Sequence, residues 1–580
     1  MKARAVLLLA LRWSVATGLP HRTGMDTWPP PSLLDADASA SLPAAHYLRQ
    51  AQDHFDPANN NSWLQAYFVN DTFWEPGSDA PIFLCVGGEG PVLDGSAVVG
   101  SVHCNIAVEW LLEKRALMFA LEHRYYGCHN MSACPVTSFD SSKASAGLRL
   151  RGSTEEPLRF LSSRQAVEDV AVFVRAMNAE HALTKRNKWI TWGGSYPGML
   201  AGWSRLKHPK LIHASVASSA PVHAKLEMVE YFDHVAKAYE VSDNDVGGSP
   251  ACRKAIRDGH LWIETLFNDT DGGGDIDVVE AFFGLPIGSL HELSARVDFA
   301  ASGVADFPSQ ENDPLCSEPA CNIKKICAIM TDEDLGQPRD RLKHLRQVQG
   351  RSQTRPHSEL PDFWFYQTCN EFGFYQTCNV GSECMFVRGL MDLKLLSGPC
   401  EQYGISLQDI SRNIELTNAH YGGLLPTGPT GDLGTCVLWP NGEVDPWSTL
   451  SVLKPPSDEQ PALYVPGASH HAWTWPSRPG DQGSVVLARH RIRQQVESFL
   501  EQDCGQAPDP PVPPDVLQPP STGLIVLAVV LGAAAIGAIS LLVCRRWGGR
   551  PLRAERRDAA RALAAADTVT SVSLSQQPTG

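Results

Sequence analysis

From Pro81 onward, short apolar runs alternate with stretches of helical periodicity, and this alternation narrows the fold more than any other feature. PIFLCV (81–86), ALMFAL (116–121), KWITW (188–192) and LIHASVAS (211–218) read as buried strands. Between 163 and 178, Val167, Val170, Ala171, Val174 and Met177 recur at helical spacing and line one face. A second helix follows over Pro197 to Leu206. Strands alternating with helices predict a mostly parallel sheet covered on both faces. The stretch 223–430 breaks the rhythm, being Cys-rich, helical in patches and irregular between them. CVLWP (436–440) and ALYVP (462–466) then resume the strands, and a last helix presents Ile492, Val496, Phe499 and Leu500. The expectation is an α/β core in two parts, 44–222 and 431–504, interrupted by a mostly helical, disulfide-rich cap at 223–430. Ligands of open α/β sheets bind beyond the carboxyl ends of the strands, so such an insertion would roof the site.

The ends of the chain suggest where it works. Met1 to Gly18 has Lys2 and Arg4, an apolar run and small residues at Ser14, Ala16 and Gly18, the pattern of a signal peptide. Residues 505–522 carry seven prolines and read as an extended stalk. Residues 523–544 are uncharged and almost wholly apolar, which predicts a single C-terminal transmembrane helix. Arg545, Arg546 and Arg550 follow and predict a cytoplasmic tail at 545–580, hence a single-pass type I protein with a lumenal or extracellular catalytic region, endolysosomal or at the cell surface. Fourteen cysteines remain besides Cys544, an even number that favours disulfides over a zinc site. Sequons at Asn60, Asn70, Asn130 and Asn268 fit a glycosylated surface. The net charge of −15 argues against a nucleic-acid partner.

TWGGSYPGML (191–200) places a serine between a strand and a helix. A nucleophile elbow is usually G-x-S-x-G, yet Pro197 stands here two residues after Ser195, with Gly198 beyond it. Proline fixes φ and lacks an N–H, and both are tolerated in the first helical turn. Serine acyl transfer needs a base, an acid to orient it and donors for the oxyanion. In α/β-hydrolases the chain order is Ser, Asp/Glu, His. Ser195, Asp445 in WPNGEVDPWS and a histidine of PGASHHAW follow that order, the last two just after expected strands. Spacing alone does not choose between His470 and His471. Oxyanion donors are expected from the Tyr196 N–H and from Gly88 in the Gly87–Gly90 loop. Glu89 is the odd member of that loop, because a carboxylate beside an oxyanion is unhelpful unless it meets a cation.

GGSYPGMLAGW, SVASSAPV, EHRYYG, GGEGP, WFYQTCNEFGFYQT, NGEVDPWS and GASHHAW together resemble the serine exopeptidase family of prolyl carboxypeptidase, dipeptidyl peptidase II and thymus-specific serine protease. The likeness runs from about residue 46 to 502, and GGEGP and the form around His470 are most similar to the thymus-specific branch. It implies an α/β-hydrolase core with a helical cap, and an exopeptidase cutting short peptides beside proline through an acyl-enzyme. It implies Ser195 as nucleophile, Asp445 as orienting acid and His470 as base. Glu89 and Glu371 become candidates for holding a substrate's free amine, and Glu122 and Arg124 of EHRYYG for a buried ion pair. The proline at 197 and the membrane anchor depart from the family pattern. Peptide substrates, the membrane and a second copy in a homodimer are the expected partners; no metal and no cofactor is expected. The alternative is a non-catalytic hydrolase-fold binding or adhesion module at the cell surface.

Overall fold

The computed structural model describes residues 42–127, 158–268, 275–350 and 362–504. The signal-peptide, stalk, 523–544 and tail readings lie outside them, as does the sequon at Asn130. The main sheet has eight strands in the order β1-β2-β4-β3-β5-β6-β9-β10. β1 (His46–Ala51) and β2 (Ser62–Asn70) are antiparallel additions. β3 (Ile82–Val86), β4 (Leu117–Leu121), β5 (Trp189–Gly194) and β6 (Ala214–Ser218) are mutually parallel where they pair. β7 (Lys225–Glu227) and β8 (Gly373–Tyr375) form a separate two-stranded parallel sheet. β9 (Val437–Gly442) pairs with β6, and β10 (Ala462–Val465) with β9, again in parallel. This is the strand order of an α/β-hydrolase.

Side chains alternate across the sheet, so each strand feeds two cores. Ile82, Leu84 and Val86 join Leu117, Phe119 and Leu121 on one face, where the helix Ser163–Glu180 packs Val167, Val170 and Val174. Phe83, Cys85, Met118 and Ala120 point to the other, against Ile492, Val496 and Phe499 of the helix Gly483–Glu501. Burial on both faces is why these strands read as continuous apolar runs. The sequence reading places no strand before Pro81. β1 and β2 escape it because Gln50 and Gln65 occupy buried positions, where their side chains bond each other at 2.7 Å.

Between β6 and β9 the chain is mostly helical, with Val229–Ala238, Pro250–Asn268, Ile323–Met330, Pro338–Val348 and Leu407–Tyr421 among its helices. Disulfides 252–327, 316–321, 369–400 and 378–384 tie this region together. Cys85–Cys104 and Cys436–Cys504 lie in the core region, the second joining the segment after the last helix to the approach to β9.

Two expectations are corrected. No helix among the described residues is long and apolar enough to cross a membrane, so the fold stands without the expected transmembrane helix; 523–544 itself lies outside those residues. Arg124 does not pair with Glu122. Its guanidinium grips Asp169 on the helix Ser163–Glu180 through two bonds of 2.6 and 2.7 Å, and it also donates to the carbonyls of Gln52 and Phe160. Both side chains are about 1% exposed. Glu122 instead accepts the backbone N–H groups of Leu93 and His123. The resemblance implied a partner two residues away, but the carboxylate of the packed helix takes the guanidinium and backbone N–H groups take Glu122.

Candidate active site

β5 ends in Gly193-Gly194, and Ser195 turns the chain into the helix Tyr196–Lys207 with φ 64° and ψ −133°. That left-handed φ is costly for a residue with a Cβ, on the order of 1–3 kcal/mol, and the surroundings hold it. The Ser195 N–H donates to Ser218 O at 2.9 Å, and Ser195 O accepts Met199 N–H at 3.0 Å. The glycines make room. A Cβ on Gly193 would lie 2.3 Å from Pro197 O, and one on Gly198 would lie 2.7 Å from Ser218 O. Pro197 sits in the first helical turn, and its ring packs on the loop after β3: a Cβ on Gly88 would meet Pro197 Cγ at 2.4 Å. The proline and Gly88 therefore fit each other.

Asp445 lies just beyond β9 and caps the short helix Pro446–Leu450, its Oδ1 accepting Trp447 N–H at 2.9 Å. Its Oδ2 lies 2.9 Å from His470 Nδ1. Asp445 is fully buried and His470 nearly so. His470 follows β10, and its backbone N–H donates to the Gln310 carbonyl at 3.0 Å. Gln310 Oε1 in turn accepts Trp447 Nε1–H and the Tyr231 hydroxyl, both at 2.8 Å. A residue of the inserted region thus braces both sides of the Asp–His pair. With Nδ1 directed at the carboxylate, His470 Nε2 is the free face of the ring; it is buried and makes no hydrogen bond among the described residues.

His471 goes elsewhere. Its ring lies under Gly194, whose added Cβ would sit 2.8 Å from Cγ, and its Nδ1 is 3.0 Å from Thr474 Oγ1. Burial holds its basicity well below the usual histidine value, with His470 and His103 adding to that effect.

Tyr196 is buried, and its hydroxyl meets Gln367 Nε2 at 2.9 Å and His123 Nε2 at 3.0 Å. Gln367 lies in the first of two copies of YQTCN, at 366–370 and 375–379, and Trp364 and Phe372 flank the Tyr196 ring. Those contacts fix the residue whose N–H follows the nucleophile. The second copy lies apart from it, with Thr377 and Asn379 donating to Glu227. His123, Gln310 and Gln367 were not singled out from the sequence, because one polar residue in a loop leaves no periodic signal.

The two candidate amine ligands differ. Glu371 is engaged by the Ser163 N–H and hydroxyl and by Gln367 Nε2, joining the inserted region to the start of the helix Ser163–Glu180. Glu89 faces the reaction centre, where the Ser195 side chain, the Tyr196 N–H and His470 favour the ionised form of its carboxyl. Burial pushes its pKa up to about 7, with those groups opposing the rise. The residue is partly exposed, but Oε2 is buried and without a hydrogen-bond partner among the described residues. The structure therefore gathers Glu89, Ser195, Tyr196 and His470, with Asp445 behind the histidine. Of the sequons, Asn60 and Asn268 are exposed, and Asn70 is half-buried with its amide donating to Val98 O. Asp277, Glu280 and His291 are close enough to hold a metal ion, but the Glu280 carboxylate already accepts the Gly288 and Leu290 N–H groups.

The pattern of the serine carboxypeptidase S28 family matches residues 50–360 and 344–492. The chain is 34% identical over 486 residues to a thymus-specific serine protease of Homo sapiens, covering 80% of this chain and 88% of that one. It is 32% identical over 492 residues to the protein of that name from Mus musculus, with the same coverage. It is 26% identical over 517 residues to a lysosomal Pro-X carboxypeptidase of Mus musculus, covering 84% of this chain and 96% of the other.

Proposed function

The chain belongs to the serine carboxypeptidase S28 family, and from that premise we propose that it is a serine-type exopeptidase for short peptides, cutting bonds next to proline through a Ser195–His470–Asp445 triad. The observation that carries this reading is the 2.9 Å contact between Asp445 and His470 behind a strained serine turn. In the proposed reaction His470 Nε2 takes the Ser195 proton as Oγ attacks the scissile carbonyl carbon. Asp445 holds the Nδ1–H and stabilises the imidazolium that forms. The Tyr196 N–H stabilises the oxyanion, with the Gly88 backbone as the second donor. The tetrahedral intermediate collapses, the C–N bond breaks, and His470 returns the proton to the leaving amine. Water then adds to the acyl-enzyme by the same route and releases the acid.

Peptide substrates suit this family. The preference for proline is supported by the Pro-X carboxypeptidase named among the relatives. That relative's lysosomal description, together with six disulfides among the described residues, favours an endolysosomal or extracellular lumen. The test is a pair of peptides, one with proline second from the amino end and one with proline second from the carboxyl end. The reading expects turnover of at least one, lost in Ser195→Ala. No turnover of either between pH 4 and 8 would refute the substrate class.

A further inference from the structure

The loops that carry Asp445 and His470 leave the neighbouring strands β9 and β10. Near the sheet the two loops are tied to each other: Glu443 N–H donates to Val465 O and Val444 N–H to Ala468 O, both at 3.0 Å. Further out, where the two catalytic side chains stand, the region inserted between β6 and β9 takes hold of both. His234 Nε2–H donates to Glu443 O at 2.7 Å, and the Ser309 hydroxyl to Val444 O at 2.6 Å. Gln310 then spans the gap, its Oε1 accepting Trp447 Nε1–H at 2.8 Å and its backbone oxygen accepting His470 N–H at 3.0 Å.

We propose that Gln310 and Ser309 are positioning residues of the reaction: the cap segment 309–313 sets the Asp445 loop against the His470 loop and so carries part of the triad's alignment. The proposal rests on the Ser195–His470–Asp445 reading above.

Three observations support it over a cap that merely roofs the site. First, the grip is one bond removed from the carboxylate. Gln310 holds the Trp447 indole, and the backbone N–H of the same Trp447 holds Asp445 Oδ1 at 2.9 Å. Second, the segment is itself fixed at both ends of its reach. Asn312 Oδ1 accepts Ile323 N–H at 2.9 Å within the cap, while Asp313 takes the Arg478 guanidinium of the core through two bonds of 2.9 Å. Third, Ser309, Gln310 and Asp313 are buried, so water cannot replace the bonds they make. Losing the Gln310 amide oxygen would leave the Trp447 N–H and the Tyr231 hydroxyl unpaired in the interior, and Trp447 would shift to regain a partner. A displacement of about 1 Å transmitted to a reacting group costs about a hundredfold in rate.

The experiment compares wild type, Gln310→Leu and Ser309→Ala, all as the full chain, by two readouts. Fluorophosphonate labelling reports the activation of Ser195 without a peptide to bind; steady-state kinetics on a peptide that the wild type cleaves separates kcat from KM. Gln310→Leu is expected to lower the labelling rate and kcat together by roughly thirtyfold, and Ser309→Ala by about fivefold, with KM within about twofold of wild type. Rates within about twofold of wild type in both variants overturn the proposal. So does a rise in KM with labelling intact, which is the signature of a roof over the peptide. If Gln310→Leu fails to fold, Ser309→Ala, which removes one oxygen, decides alone. Labelling that persists in Ser195→Ala would instead refute the nucleophile, so the two failures are distinguishable.

Discussion

Replacing Gly88 by alanine tests whether the unusual elbow proline and the loop after β3 are matched. The added methyl would lie 2.4 Å from Pro197 Cγ and 2.5 Å from Cδ. Overpacking of this kind costs about 1–3 kcal/mol. Pro197→Ala removes both ring atoms and leaves the backbone N, 3.2 Å from the methyl, as the nearest contact in this group. Gly88→Ala should therefore cost about 2 kcal/mol in the natural background and under about 1 kcal/mol beside Pro197→Ala. The effect of Pro197→Ala on unfolded-chain entropy cancels in the double-mutant cycle. Guanidinium unfolding with disulfides intact reads each corner. Equal destabilisation in both backgrounds would show that Gly88 is needed for some reason other than the proline.

Asp169→Asn leaves Arg124 buried without its counter-charge and should destabilise the protein by about 3–5 kcal/mol in the same unfolding assay. The Asp169 carboxyl is held below its usual range, burial raising it but Arg124 and His54 outweighing burial. Its contribution to stability is thus fully present above the unfolded pKa near 3.9 and lost as pH falls through the lower folded value, so the variant's deficit should shrink in strong acid. Asp445→Asn should lower kcat by about 10⁴ with little change in KM, because an amide no longer holds the His470 tautomer; steady-state kinetics on a cleaved peptide would show it. Gly194→Ala would place a methyl 2.8 Å from the His471 ring and should reduce both stability and labelling, whereas His471→Ala should restore labelling in that background.

The parallel core was legible because strands buried on both faces must be apolar throughout, as PIFLCV and ALMFAL are. β1 and β2 were not, since the buried Gln50–Gln65 pair interrupts their alternation. The order Ser195, Asp445, His470 could be read because each follows a strand. Spacing left His470 and His471 equal; the structure directs one to Asp445 and the other to Thr474. Arg124 was assigned the wrong partner because Asp169 is 45 residues away on a helix. No sequence pattern turned Glu89 toward the reaction centre, because loop conformation decides where that carboxyl goes.

The central claim is that Ser195 is activated by His470. Labelling of the full chain by a fluorophosphonate, compared among wild type, Ser195→Ala and His470→Ala, tests it most directly. The account predicts labelling of the wild type, none of Ser195→Ala, and a rate reduced by at least about a thousandfold in His470→Ala. Equal labelling of wild type and Ser195→Ala would contradict it.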